Sequence, residues 1–198
     1  GDALNTSNGG NVALGCNALG AQTTGLNNVA IGCHALATSV DDADLNIAIG
    51  KLAMGAADVS GFNNIALGTT SMDALTTGAC NIAMGINALG ATTIGVCNIA
   101  IGVGAMYGVT TGQADSNIAI GVSAMVGAAG TTGDENIAIG RGSLIALTTG
   151  TNNIGMGLTS GDAITTGTDN IAIGRLSASA TADGADNIAI GRSAFAVS

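Results

Sequence analysis

Residues 46–50 read Asn-Ile-Ala-Ile-Gly, and the same five residues recur from Asn98, Asn117, Asn136, Asn170 and Asn187, with near-copies from Asn11 (NVALG) and Asn81 (NIAMG). With the Asn of each copy at offset zero, eleven starts emerge: Asn11, Asn28, Asn46, Asn64, Asn81, Asn98, Asn117, Asn136, Asn153, Asn170 and Asn187. They are spaced by 17 to 19 residues. So short and regular a period marks a solenoid in which each repeat is one coil stacked on the next, and it is too short for helical repeats, which need roughly 30 residues or more.

The working template is N-I-A-I-G-x-x-A-L-x-A-L-T-T-G-x-x. Large residues at offsets one and three alternate with Ala at offset two, the period of a strand with one buried face. The isoleucines are expected to form that buried face. Gly at offset four occupies every coil from Gly15 to Gly191, as a turn needing positive φ or lacking room for a Cβ would require. Offset seven holds only Ala or Ser, and offset eight is mostly Leu or Met; this group predicts a second short strand, followed by a Thr-Thr-Gly return. All six methionines fall at offset three or eight and are expected in the core as gap-fillers. The fold class is therefore all-β, a parallel β-solenoid or β-roll of about eleven coils, stacked at about 4.8 Å into a rod of roughly 50 Å. The Asn column is expected to stack as a ladder of side-chain amides bonded to one another and to turn backbone.

Composition agrees with thin stacked layers. Of 198 residues 33 are Gly and none is Pro, and the chain is 47% hydrophobic but only 2% aromatic, so Ala and Gly supply much of its apolar content. Residues 1–198 read as one repeat domain, opening and closing inside a repeat, and are expected to be an internal or processed segment of a longer protein. Thirteen acidic against four basic residues argue against nucleic acid or anionic lipid as partners, and no apolar run is long enough for membrane insertion in this segment.

Cys16 and Cys33 share offset five in consecutive coils, and Cys80 and Cys97 share offset sixteen. One period brings each pair to about 5 Å between Cα atoms, within disulfide range, although parallel side chains are poorly angled for it. Two axial disulfides are expected, Cys16 to Cys33 and Cys80 to Cys97, against the alternative of stacked thiols. A metal site lacks a second ligand type near either pair.

All four cations, Lys51, Arg141, Arg175 and Arg192, sit at offset five, while acids gather before the next Asn. The plain reading is of solvated coil edges; the sharper one pairs Arg141, Arg175 and Arg192 with acids of a neighbouring chain. Acidic stretches at Asp41 to Asp44 and Asp183 to Asp186 lack full calcium-ligand spacing.

Offset two is Ala in ten coils and Gly in the eleventh: Ala13, Ala30, Ala48, Ala66, Ala83, Ala100, Ala119, Ala138, Gly155, Ala172 and Ala189. If the isoleucines face inward, this column faces outward, where only the close approach of another surface would confine it to small residues. A homo-oligomer, packed along the long axis, is the simplest supplier of that surface.

The repeats NIAIG, NVAIG and NIALG, each followed two residues later by a small residue, resemble the head repeats of trimeric autotransporter adhesins of the YadA-like type. The longer forms at Thr165 to Ser177 (TTGTDNIAIGRLS) and Thr23 to Leu36 (TTGLNNVAIGCHAL) resemble the TTG-x-x-N-x-A-I-G-x-x-A-L repeats of bacteriophage tail fibres and related bacterial surface fibres. The resemblance covers practically the whole chain. It implies a left-handed parallel β-roll, three chains side by side, and exposure on a cell or virion as part of an attachment fibre, with a host-cell surface or matrix component as the outside partner. The coils are longer than those adhesin heads favour.

Catalytic and cofactor roles find little support. His34 is the single histidine and Glu135 the single glutamate, and no carboxylate pair is set into an evident cleft. The Gly-rich run from Gly102 to Gly108 lies in repeat register with no helix pattern behind it. Among the few aromatics, Phe62 and Tyr107 in irregular coils are the first candidates for ligand contact, with capping of apolar edges as the alternative. Recurrent Thr pairs, at Thr23, Thr76, Thr110, Thr131, Thr148 and Thr165 with the residue after each, raise ice binding as a different class of function, although the array is interrupted.

Overall fold

The computed structural model describes residues 9–22, 24–39, 43–108, 114–127, 133–180 and 183–196. Eleven strands of three residues each succeed one another: β1 (Val12–Leu14), β2 (Val29–Ile31), β3 (Ile47–Ile49), β4 (Ile65–Leu67), β5 (Ile82–Met84), β6 (Ile99–Ile101), β7 (Ile118–Ile120), β8 (Ile137–Ile139), β9 (Ile154–Met156), β10 (Ile171–Ile173) and β11 (Ile188–Ile190). They pair in sequential order into one parallel sheet. Register is residue for residue, with Ile47 beside Ile65, Ala48 beside Ala66 and Ile49 beside Leu67. The chain is thus an all-β solenoid whose coils are joined by hydrogen bonds along the strands and along the turns between them, and no helix occurs among the described residues.

Two columns anchor the stack. Asn46 Oδ1 accepts the backbone N–H of Asn64 at 2.9 Å and Asn64 Nδ2 at 3.1 Å, while Asn46 Nδ2 donates to the carbonyl of Gly61 at 2.8 Å. The same set recurs at Asn81, Asn98, Asn136 and Asn153. These side chains are buried, so each must satisfy its own polar atoms and does so along the axis. At offset four Gly85 has φ of 138°, and a Cβ there would lie 2.5 Å from the carbonyl oxygen of Gly102, so both conformation and space demand glycine.

The second apolar group is not a strand. Around Met54 the chain turns, with Leu52 at φ 57° and Met54 at φ 49°, and the pattern repeats at Asn87 and Leu89 and at Ser123 and Met125. These left-handed residues cost about 1–2 kcal/mol each. Axial hydrogen bonds offset the cost, in alternating directions: Leu52 N–H donates to Cys33 in the coil before, and Met54 N–H to Ser71 in the coil after. The turn also swings the offset-eight side chain inward, where Leu36, Met54, Met72, Leu89, Met106, Met125 and Leu144 are fully buried. Burying each such side chain stabilises by roughly 1.5–3 kcal/mol.

That wall of large side chains inverts the expected sides of the strand. The Ala column, including Ala30, Ala48, Ala66, Ala83, Ala100, Ala119, Ala138 and Ala172, is fully buried inside the chain's own coil. Ala13 and Ala189 are nearly so. The surface that confines this column to small residues is the opposite wall of the chain's own solenoid, which leaves the column nothing to offer a partner. Gly155 makes the point locally: a Cβ there would lie 2.5 Å from Ser143 Oγ and 2.8 Å from Leu144 Cγ, both on the opposite wall of the preceding coil. Of the methionines, only Met54, Met72, Met106 and Met125 are core, while Met84 and Met156 look outward from their strands.

Candidate functional site

With Asn and Ala facing in, offsets one and three face out. They line up Val12, Val29, Ile47, Ile65, Ile82, Ile99, Ile118, Ile137, Ile154, Ile171 and Ile188 in one column, and Leu14, Ile31, Ile49, Leu67, Met84, Ile101, Ile120, Ile139, Met156, Ile173 and Ile190 in the other. None is buried: Ile49 is 38% exposed, Ile120 37%, and Ile190 at the end 67%. A band one strand wide, about 10 Å, and eleven coils long, about 50 Å, is on the order of 500 Å² of continuous apolar surface. That is near the upper end of what a monomer leaves in water, and such patches mark association sites.

The band has two margins. On one side, at offset five, exposed Ile86, Val103 and Val122 widen the apolar surface in the middle of the rod, and Lys51, Arg141, Arg175 and Arg192 charge it elsewhere. On the other side lies the residue just before each Asn, a left-handed corner occupied among others by Cys80, Cys97, Glu135, Asp169 and Asp186. These five corner residues are all exposed.

Cys16 and Cys33 share one turn column and Cys80 and Cys97 one corner column, each pair in consecutive coils, and Cys33, Cys80 and Cys97 stand as thiols in this structure. Cys80 and Cys97 have φ of 59° and 58°, so equivalent backbones in consecutive coils aim their Cβ atoms in parallel, and parallel vectors do not reach the dihedral a disulfide requires. Among the described residues no group of three or more His, Cys, Asp and Glu side chains could hold a metal ion. Asp41 and Asp42 lie outside the described residues.

The acids divide by position. Those two residues before Asn are structural: Asp44 Oδ1 accepts the Leu26 N–H at 2.7 Å, Asp115 Oδ1 the Val96 N–H at 2.8 Å, and Asp134 Oδ1 the Asp115 N–H at 2.8 Å. Asp183 accepts hydrogen bonds from the hydroxyls of Thr166 and Thr165, which hold its carboxyl below the ordinary range. Asp73 and Asp162 are pushed the other way by burial, against weaker pulls from backbone N–H groups, and each keeps a buried Oδ1 without a donor.

The remaining candidates take structural places. His34 Nδ1 lies 3.2 Å from Asn17 Nδ2, one coil away on the same turn column. Tyr107 is half-exposed, and a Cβ on Gly90 would lie 3.1 Å from its ring, so the ring covers the glycine of the preceding coil. Phe62 is half-exposed, two residues before Asn64, and its carbonyl accepts the Cys80 N–H at 3.0 Å. Thr76 and Thr148 donate their hydroxyls to the carbonyls of Thr93 and Thr165 at 2.9 and 3.0 Å, bonding along the axis as the Asn ladder does. Thr23, Thr110, Thr111, Thr131 and Thr132 lie outside the described residues.

The surface that sequence reading placed on the wrong side was the isoleucine band. Its signal was parity: Asn at zero and Ala at two vary least, and offsets of the same parity face the same side. No family model matches the chain, and neither a curated protein nor a solved structure matches it.

Proposed function

We propose that this chain is a structural segment of an extracellular fibre, formed by three copies packed side by side through the isoleucine band, and that it holds an attachment surface away from the cell or virion that carries it. The observation that carries the reading is the unbroken apolar band running the full length of a rod whose interior is already filled by the chain's own side chains. A lone solenoid would leave that band in water, whereas side-by-side packing covers it at every coil. The resemblance of the repeats to YadA-like adhesin heads and phage tail-fibre repeats supports the same reading, and carries with it a left-handed roll and a trimer. A mechanical role fits a surface made of isoleucine columns backed by ladder hydrogen bonds along the axis.

Location is the experiment. An antibody raised against the chain is expected to decorate fibres on intact cells or virions of the source in electron micrographs. Staining confined to the interior of permeabilised cells would overturn the reading.

A further inference from the structure

We propose that the occupant of the apolar band is a second copy of this chain running parallel and in coil-for-coil register, and that the charges on the two margins of the band set that register; this rests on the side-by-side association proposed above. The pattern is specific. Arg141, Arg175 and Arg192 stand at offset five after β8, β10 and β11, and the corner residues before those same strands are Glu135, Asp169 and Asp186. No other coil has an acid at that corner.

The six side chains are exposed, and none forms an ion pair or side-chain hydrogen bond among the described residues. The two members of each set lie on opposite margins of the band, separated by the strand and the glycine turn. Along the rod, Arg175 stacks on Arg192 and Asp169 on Asp186 in adjacent coils, an arrangement of like charges about 5 Å apart that repels unless a complement is supplied. The complement each margin lacks is the other margin of the same chain.

Geometry decides the direction. When two copies pack band to band about an axis parallel to the rod, the offset-five margin of one meets the corner margin of the next, at the same coil. Arg141 then meets Glu135, Arg175 meets Asp169 and Arg192 meets Asp186, while the apolar Ile86, Val103 and Val122 meet the uncharged Cys80, Cys97 and Ser116. An antiparallel face-to-face arrangement sets each margin against its own kind and runs charged coils against uncharged ones. A slip of one coil sets Arg141 against Ser116 or Asn152 and breaks two of the three matches. Lys51 stands outside the scheme, since its coil has Leu45 at the corner. The charges add little to affinity and much to specificity, by making every register but one costly.

Register is read by cross-linking. In a background with Cys16, Cys33 and Cys97 changed to Ser, Ile86→Cys is expected to form an interchain disulfide with Cys80 under mild oxidation, and Val122→Cys, two coils away, is not. A second arm reverses charge: Arg141→Glu, Arg175→Glu and Arg192→Glu together are expected to weaken assembly on the order of tenfold or more at low salt, with the circular dichroism of the fold retained. Adding Glu135→Arg, Asp169→Arg and Asp186→Arg is expected to restore it. Assembly that cross-links through Val122→Cys rather than Ile86→Cys, or that ignores the charge reversals, overturns the register while leaving side-by-side association standing. A chain of monomer mass before any substitution overturns the association itself.

Discussion

Asn98 Oδ1 accepts the backbone N–H of Asn117 at 2.9 Å, while Asn98 Nδ2 donates to the carbonyl of Ala114 at 2.6 Å, so one buried amide ties the end of its own coil and the start of the next. Asn98→Ala removes both links and leaves a buried N–H and a buried carbonyl unpaired. The expected loss is about 2–5 kcal/mol, read as a lower urea midpoint with an unchanged slope. Asn152→Ala, at an exposed corner one residue from the same column, loses no buried hydrogen bond and is expected to cost about 1 kcal/mol, from its left-handed φ of 57°.

Ala119 is fully buried against the offset-eight wall, which sets a size limit rather than an interface. Ala119→Val is expected to cost about 1–3 kcal/mol through overpacking. Ala119→Glu is expected to unfold its part of the solenoid rather than only dissociate copies, because an unpaired carboxylate would be forced into the core. Circular dichroism and sedimentation together separate the outcomes: a dissociated chain with full strand signal would contradict the inward placement.

Thr92 occupies the buried column filled elsewhere by Leu75, Leu147 and Ile164, and its Oγ1 has no partner. Thr92→Val keeps the shape and removes the orphaned hydroxyl. It is expected to stabilise by about 1 kcal/mol in urea unfolding.

Asp73 titrates above the ordinary carboxylate range because burial disfavours its charge. A raised folded-state value favours folding below the ordinary carboxylate value, and that contribution is lost as pH rises through the folded value. Asp73→Asn is therefore expected to raise the melting temperature at neutral pH, with the advantage shrinking as pH falls through the folded value. A gain that grew in acid would contradict the assignment.

Much of the solenoid could be read before its coordinates. Period, strand position, the glycine turn and the Asn ladder follow from residues that repeat in every coil, because each coil imposes the same local demand on the chain. The sides of the strand could not be read from alternation alone. In Ile47-Ala48-Ile49 the larger residues look like the core, and only the left-handed turn at Met54, which throws a long side chain across a narrow coil, shows that the interior has room for Ala alone. The same turn removed the expected second strand, since nothing in Ala53-Met54 declares a positive φ. The cysteine pairs fall in adjacent coils as their shared offsets require, and at Cys80 and Cys97 the equivalent left-handed backbones aim the side chains in parallel, which offset alone does not declare.

The central claim is that the outward isoleucine band is covered by other copies of the chain. Multi-angle light scattering at micromolar concentration tests it, using the 18.8 kDa chain and a variant carrying Ile101→Asp and Ile120→Asp. The expected result is three times the chain mass for the parent and a single chain mass for the variant, with the strand signal in circular dichroism retained in both. A parent that stays at 18.8 kDa, or a variant that assembles unchanged, would contradict the account.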